Sequence, residues 1–577
     1  MKRKILGILS VLIASTVLFS ACAGNKNKQT VDDSNSKPGT ETTEVKKDKN
    51  QSLTLVFLEP QSLDTNSIYD SSTATIIGAV QEGLVRVKNT GGADEIVAAG
   101  AEKWETSSDG LTWTFHLREY KWSDGKPVTA QHFVDSVIRL LEKGNAFPYA
   151  FFAYDIKNAH DYNLGKAKAE DVGVKAVDDK TLQFSLEKPV SAFLAKIAYP
   201  VFNPIRLDII KAGGENWATD ITKQVYCGPY KIKEWVRDNS ITLVKNPDYW
   251  DAKNVSIETV NMNDIPEFAT QAQLFETQQL DVTGSTQEYI TKWTQAAKEG
   301  KWQGFAGDVP STAYLAFNQK TGGLSGLMGN AKIRKAISVA FDREELVSAI
   351  YGRYSPAYGY VSKSLSIGKD EYRKVVEEPL KADAAKYKNN TVEIQKLFHE
   401  GLKELGKDTA NLKDIKLTFI TTGTDALSKQ RQEWWKQQLE KNLGITIDMK
   451  VYGDTKIYNQ DRKGFKFDLC FLAWNGDYND PMTFLDMWES TNENNYAGYN
   501  NPEYDALLKS LSNINDTAKR LDVYKKLENV LVQQDAAIAP VYYSDTRRFV
   551  QNYVKDFGFP MFGPTYEWRW AYISGKP

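Results

Sequence analysis

"FDLCFLAWNGDYNDPMTFL", residues 467–485, begins as an apolar run suited to a strand and breaks into N-G-D-Y-N-D-P. Phe467 to Trp474 has the length and composition of a buried or half-buried strand. The Asn, Gly, Asp and Pro that follow are turn residues. Two carboxylates, Asp477 and Asp480, stand in the turn, with Trp474 and Tyr478 interleaved. On spacing alone there are two readings. Asp477 is either a turn residue whose carboxylate caps nearby amides, or an anion placed to receive a cation. Asp480, directly before Pro481, reads as structural, positioning the loop.

Outward from this stretch the chain alternates strand and helix signals. "LTLVFL" from Leu53 reads as a strand, and "TATIIGAVQEGLVRV" as a helix with Ile76, Ile77, Val80 and Leu84 on one face. "LTWTFHLR" alternates Leu111, Trp113, Phe115 and Leu117 against polar neighbours, a half-buried strand. "WSDGKPVTA" supplies a turn, "TAQHFVDSVIRLLEKG" a helix ending at Gly144, and "TLQFSLEKPV" a strand. In "AFDREELVSAIYG", Asp342 caps a helix, Glu345 answers it and Gly352 stops it, with Leu346, Ala349 and Ile350 buried. A further helix is expected over 432–443, then the strand "ITIDMKVY" and two amphipathic helices in "PEYDALLKSLSNI" and "AKRLDVYKKLENVLVQQ". The pattern is α/β. At 577 residues it exceeds what one core of roughly 300 residues accommodates, so two or three domains are expected.

Composition excludes several classes. The formal charge is −2 and becomes more negative if Lys2, Arg3 and Lys4 leave with a leader, which is no nucleic-acid footprint. The four histidines, His116, His132, His160 and His399, are not at metal-ligand spacing, so no metal and no cofactor is expected. Cys227 and Cys470 read as small buried apolar residues, with a disulfide as the other reading.

The N-terminus has a basic start, an apolar run over Ile5–Phe19, then Ser20, Ala21 and Cys22. The run is short of the roughly 20 residues a spanning helix needs and fits a secretory leader. The cysteine behind two small residues resembles a bacterial lipobox, with Phe19 where a leucine is usual. That resemblance implies acylation of Cys22 after removal of 1–21. Residues 23–51 hold few apolar side chains and are expected to form a disordered tether reaching about 30 Å.

Several strings occur in order: "QEGLVRV", "WETSSDGLTWTFHLREYKWSDGKPVTAQHFVDS", "TLQFSLEKPVSAFLAKIAYPVFNPI", "CGPYKIKEWVRDNSITLVKNPDYWD", "YLAFN", "IRKAISVAFDREELVSAIYG" and "AWNGDYNDP". Together they resemble the oligopeptide-binding proteins, large solute-binding lipoproteins that feed peptide ABC importers. The resemblance covers nearly everything from Leu53 to Ile573, with Cys227 standing where the family usually has Asn or a similar small residue. It implies a three-lobed fold of the periplasmic-binding-protein kind, with a hinge and an enclosed ligand cleft. Lobe I is expected over 52–81, 204–311 and 542–577, an inserted lobe II over 82–203, and lobe III over 312–541.

The resemblance also implies roles. The carboxylate of the W-x-x-D-Y string pairs with a peptide ligand's N-terminal ammonium, and here that residue is Asp477. Asn475 and Gly476 are expected to offer backbone groups, and the strand from Phe467 an edge for an extended peptide. Trp474 is a pocket wall or plain core. Tyr69, Ser71, Tyr149, Tyr542 and Tyr543 fall at positions implied to line the cleft. The implied partners are an oligopeptide and the permease subunits of an ABC importer. The protein is expected as a monomer on the extracytoplasmic face of a bacterial membrane, held by its lipid alone. The competing readings are the same fold with another solute (an oligosaccharide, a nickel chelate or a signalling peptide) and a hydrolase using Asp477 and Asp480. Against the hydrolase, both acids share one loop and no G-x-S-x-G or H-E-x-x-H string accompanies them.

Overall fold

The computed structural model describes residues 46–577, apart from 69, 91–93, 191, 408, 409, 493, 512, 513 and 515. The expectations for the leader, Cys22, most of the tether and Tyr69 therefore lie outside the described residues. The chain divides at Lys46, and the larger unit, Lys47–Pro577, contains all the sheets. No helix among the described residues is long and apolar enough to cross a membrane.

Three sheets organise this larger unit. In the first, strand Ser52–Phe57 runs parallel to Thr259–Asp264, which continues antiparallel through Ser240–Lys245 to Tyr230–Val236. Its alternating burial places Leu53, Leu55 and Phe57 inward, as a half-covered strand requires. The C-terminal segment closes on the residue before the first strand: the Gln51 side chain donates to the Ile573 carbonyl (2.9 Å) and accepts from its amide (2.9 Å). In the second sheet, Ala101–Thr106, Thr112–Leu117, Thr181–Ser185 and Val174–Asp178 pair antiparallel in that order. Helix Ala130–Leu141 buries Phe133, Val137, Leu140 and Leu141 in the same core.

The third sheet is mixed, ordered Val282–Thr283, Ile538–Val550, Gln303–Phe317, Leu469–Asn475, Lys416–Thr422 and Thr446–Tyr452. Two of its strands are far longer than the usual five or six residues: Gln303–Phe317 and Ile538–Val550. They pair antiparallel, with a break in register between Asp308 and Thr312. At one end Phe549 joins a small aromatic core with Phe275, Trp293 and Trp302. At the other, Ala313–Phe317 and Ile538–Ala539 lie in a separate, larger core. The two strands thus run continuously from one packed body into another.

Local departures from the expected elements have physical causes. The helix at Ser71 stops at Val80, and Val85–Lys88 is instead a strand paired with Glu95–Ala98. The β-branched Val85 and Val87 favour that outcome, and Gly83 separates the two, where a Cβ would meet Asn203 Oδ1 at 2.5 Å. The Ala130 helix ends at Leu141, before Gly144. Asp342 does cap its helix through the Glu345 amide (3.1 Å). Glu345, however, accepts from Gln438 (3.1 Å) rather than closing a box. That helix widens to i→i+5 bonding over Leu346–Ile350, which turns Val347 inward with Leu346 and leaves Ala349 exposed. The expected helix at Gln432 begins earlier, at Ala426, where Asp425 caps it. Cys227 and Cys470 are both free thiols, buried in different cores.

Candidate functional site

The strand Leu469–Asn475 is anchored at its start by Asp468. This fully buried carboxylate accepts from the Ser325 amide (2.9 Å) and hydroxyl (2.7 Å) and from the Thr418 amide (2.8 Å). The strand pairs with Ser311–Phe317 along its whole length. On its other side, Lys416–Thr422 matches it only at Leu469 and Cys470. The expected edge is therefore interior over its first residues and open from Phe471 to Asn475. The Gly476 amide donates to the Pro310 carbonyl (2.6 Å). By strand alternation, the backbone groups of Ala473 and Asn475 then face the open side, and both residues are exposed.

The turn after this strand is held from several directions. Trp474 Nε1 donates to the Thr483 carbonyl (2.7 Å), and the Asp477 amide to Thr483 Oγ1 (2.9 Å). Asn479 Oδ1 accepts from the Ser366 amide (2.9 Å). Asp480 Oδ1 accepts from the Met482 amide (2.9 Å) and the Tyr524 hydroxyl (2.8 Å), so this carboxylate fixes the loop. Gly476 is needed for packing: a Cβ there would come within 2.9 Å of Phe484 and 3.0 Å of Thr483. Trp474 is half-buried against the large core.

Opposite the turn stand residues of the body that holds the second sheet. Tyr149 donates to Asp477 Oδ1 (3.5 Å) and stacks on Tyr199 at 5.1 Å. Tyr478 packs edge-on to Phe152 (6.3 Å) and donates to Asp486 Oδ2 (3.3 Å). Lys196, only 8% exposed, pairs with Asp155 and lies 4.8 Å over the Tyr478 ring. The residue of Asp477 keeps some accessible surface, but protein encloses its carboxylate. Burial, then the neighbouring Asp486, push its pKa up to about 7 against the opposing pull of Lys196 and the Tyr149 bond. Burial likewise raises Asp486 to about 6, with Lys196 opposing. Burial works against the charge of Lys196, yet Asp155, Asp486 and Asp477 outweigh it and hold its pKa above the ordinary value. The site gathers Asp155, Asp477 and Asp486 around Lys196, with Lys188 also acting on Asp486, an arrangement suited to accepting a further cation.

The remaining expected residues are dispersed. Ser71 is exposed at the first turn of its helix. Tyr542 is buried in a ring stack, 4.5 Å from Tyr354 and 3° from parallel. Tyr543 is buried, its hydroxyl donating to the Gly359 carbonyl (3.1 Å) and to Glu378 (2.8 Å). Of the site, sequence reasoning missed Lys196, Asp155, Tyr199 and Asp486. Lys196 did leave a signal, as a lone charge within "FLAKIAYPVF". A cavity of about 240 Å³ between Phe341, Tyr387 and Gln438 lies elsewhere and does not include Asp477. The chemistry marks the site here better than the volume does.

Comparison with known proteins agrees with this architecture. The chain is 32% identical over 564 residues to the oligopeptide-binding protein OppA of Bacillus subtilis (strain 168), covering 94% of this chain and 95% of that one. The structure of Listeria monocytogenes OppA bound to peptide matches with a TM-score of 0.74 at 30% identity, over 92% of this chain and all of that one. That of Haemophilus influenzae OppA in complex with RPPGFSPFR matches with a TM-score of 0.75 at 26% identity, over 92% of this chain and all of that one. Residues 95–496 match the family described as "Bacterial extracellular solute-binding proteins, family 5 Middle". With more than half of its length matched, this chain belongs to family 5 of the bacterial extracellular solute-binding proteins.

Proposed function

We propose that this protein captures oligopeptides between its lobes and delivers them to an ABC importer. The observation that carries the reading is Asp477, a carboxylate enclosed by protein at the end of a strand whose edge is open. An extended peptide adds to that edge through the outward backbone groups of Ala473 and Asn475. Its ammonium displaces the Tyr149 contact and pairs with Asp477. The backbone that meets this edge is common to all peptides, and the carboxylate fixes one end, so register is set without reading side chains. Trp474 forms a wall, and Gly476 brings Asp477 close to the strand end. Tyr542 and Tyr543 back the cleft with their rings, since the Tyr543 hydroxyl is already taken. Ser71 and Tyr69 contribute from the facing lobe.

In this reading the two long strands form the hinge about which the lobes open, and the boundaries near 311 and 541 fall within them. Acylated Cys22 holds a monomeric protein to the outer face of the membrane. The site favours binding over hydrolysis, because Asp480 is committed to the Met482 amide and Tyr524. The test is mass spectrometry of ligands released from natively purified protein. Peptides with free N-termini are expected; a cleft carrying only sugars or chelates refutes the proposal.

A further inference from the structure

A buried cation outside the acidic site, Arg343, lines the cavity between Phe341, Tyr387 and Gln438. The residue is 1% exposed. Its Nε donates to the Ala357 (2.9 Å) and Pro540 (2.8 Å) carbonyls and its Nη2 to the Ser338 carbonyl (3.0 Å), which leaves Nη1 without a partner among the described residues. The guanidinium lies 4.2 Å from the centre of the Phe341 ring and 5.3 Å from that of Tyr358, and both rings line the same cavity. Three carboxylates act on it from beyond ion-pair distance, Glu344, Glu378 and Asp342, and each is committed elsewhere. Glu344 accepts from the Tyr358 hydroxyl, Glu378 from the Tyr358 amide (2.9 Å) and the Tyr543 hydroxyl (2.8 Å), and Asp342 from the Glu345 amide (3.1 Å). Burial therefore outweighs them and lowers the Arg343 pKa to about 10.

Arg334 shows how this fold satisfies a buried arginine that has only structural work. Its Nε, Nη1 and Nη2 all donate to backbone carbonyls, and it does not line this cavity. Arg343 differs on both counts. A guanidinium has five N–H donors, two of them on Nη1, and a buried charge without a counter-charge is costly. The other charges of the cavity leave room for an anion. Lys388 is taken by Asp342 (3.4 Å) and Glu344 (3.5 Å), and Glu345 accepts from Gln438 (3.1 Å). Lys381 and Lys441 are exposed where the cavity meets solvent and make no ion pair among the described residues. The carbonyls at the end of helix Ala331–Val339, which would repel an anion, are covered: Ser338 by Arg343 (3.0 Å) and Ala340 by the Asn442 side chain (2.8 Å). Buried Ile394 and half-buried Tyr387 add apolar wall. The volume of about 240 Å³ lies below the roughly 300–1,000 Å³ of drug-sized sites, so the ligand is small.

We propose that this cavity is a second binding site, separate from the peptide site, for a small organic carboxylate with an apolar body. The carboxylate accepts from Arg343 Nη1 in a charge-assisted bond. The body lies against Phe341, Tyr387 and Ile394, and Lys381 and Lys441 draw the anion to the opening. None of the residues assigned to peptide binding lines the cavity, so the site stands whether or not the cleft holds peptide.

The test is a ligand-detected NMR titration of the intact protein with benzoate, phenylacetate and hexanoate, each beside its neutral amide. Probes of about ten non-hydrogen atoms are expected to reach a Kd of about 1–10 mM. At least one acid should bind at least about tenfold more tightly than its amide. Arg343→Gln is expected to close that gap. If that variant does not fold, Ala384→Phe decides. It fills the cavity from a half-buried helix position and leaves the Arg343 bonds in place. It is expected to weaken the acid at least about tenfold at an unchanged melting temperature. Three results overturn the proposal: no saturable binding of any of the three acids, equal affinity for every acid and its amide, or undiminished binding of the acid by folded Ala384→Phe, which would place it elsewhere on the protein.

Discussion

Replacing Asp477 by Asn tests the central electrostatic claim with little change in shape. Burial puts the Asp477 pKa near 7 rather than the ordinary 3.8. At about 1.36 kcal/mol for each pH unit, holding the carboxylate charged there costs about 4 kcal/mol. An ammonium at about 4 Å returns about 4 kcal/mol at an effective dielectric near 20, so the charged pair roughly offsets its own burial. The net gain over a neutral ligand end is therefore modest. The Asp477→Asn variant would leave a buried ammonium without an anion, and truncating one partner of such a pair costs about 2–5 kcal/mol. The dissociation constant of a free-amine peptide should rise at least about 30-fold, since 1.4 kcal/mol is about tenfold. The N-acetylated peptide brings no charge and should change by less than about threefold. Titration calorimetry of both peptides against both proteins makes the comparison. Equal losses for the two peptides, or none for either, would refute the pairing.

The same carboxylates predict two pH dependences of opposite sign. The folded protein holds protons on Asp477 (about 7) and Asp486 (about 6) that the unfolded chain has released. Their contribution to stability is present below about pH 4 and is lost as pH rises through about 6–7; the melting temperature of the wild type should fall relative to Asp477→Asn between pH 5 and 8 in scanning calorimetry. Binding runs the other way, because an ammonium requires the ionised carboxylate, so free-amine affinity should increase over that interval with proton release. Glu528 is fully buried, accepts from the Tyr360 (2.6 Å) and Val361 (2.9 Å) amides and pairs with Arg373. Glu528→Gln strands that arginine and should lose about 3–5 kcal/mol, read as a lowered urea midpoint. Cys22→Ala should move the protein from the membrane fraction to the medium, and unchanged fractionation would exclude the lipid anchor.

Elements whose stability is local were legible in the sequence. The strand at Ser52 shows its period of two, and the Asp342 cap its position before the helix. The strand before Asp477 was visible as a strand, but its neighbours were not. Whether Phe467–Trp474 is an edge depends on where Lys416–Thr422 stops pairing, which no local pattern encodes. The two long strands were missed for a related reason. Gln303–Gly307 and Asp545–Arg548 are polar or mixed stretches that stay at least partly accessible, and they remain extended by pairing with each other.

The acidic site shows the same division more sharply. Spacing alone left Asp477 between a turn cap and a cation receptor, and the structure gives the two acids of the loop different work. Asp480 takes the cap, because the Met482 amide and Tyr524 lie within its reach. Asp477 cannot, because its own amide is bound to Thr483 and its carboxylate points to Tyr149, 328 positions away in sequence. Its neighbours Lys196 and Asp486 likewise come from segments remote from each other, and Lys196 faces three carboxylates, Asp155, Asp477 and Asp486, with Lys188 acting on Asp486 as well. A structural ion pair would have balanced that charge within the fold. Protonation relieves the excess at the cost of raised pKa values for Asp477 (about 7) and Asp486 (about 6), and a ligand cation would relieve it instead, which is the physical reason for proposing that the positive charge comes from the ligand.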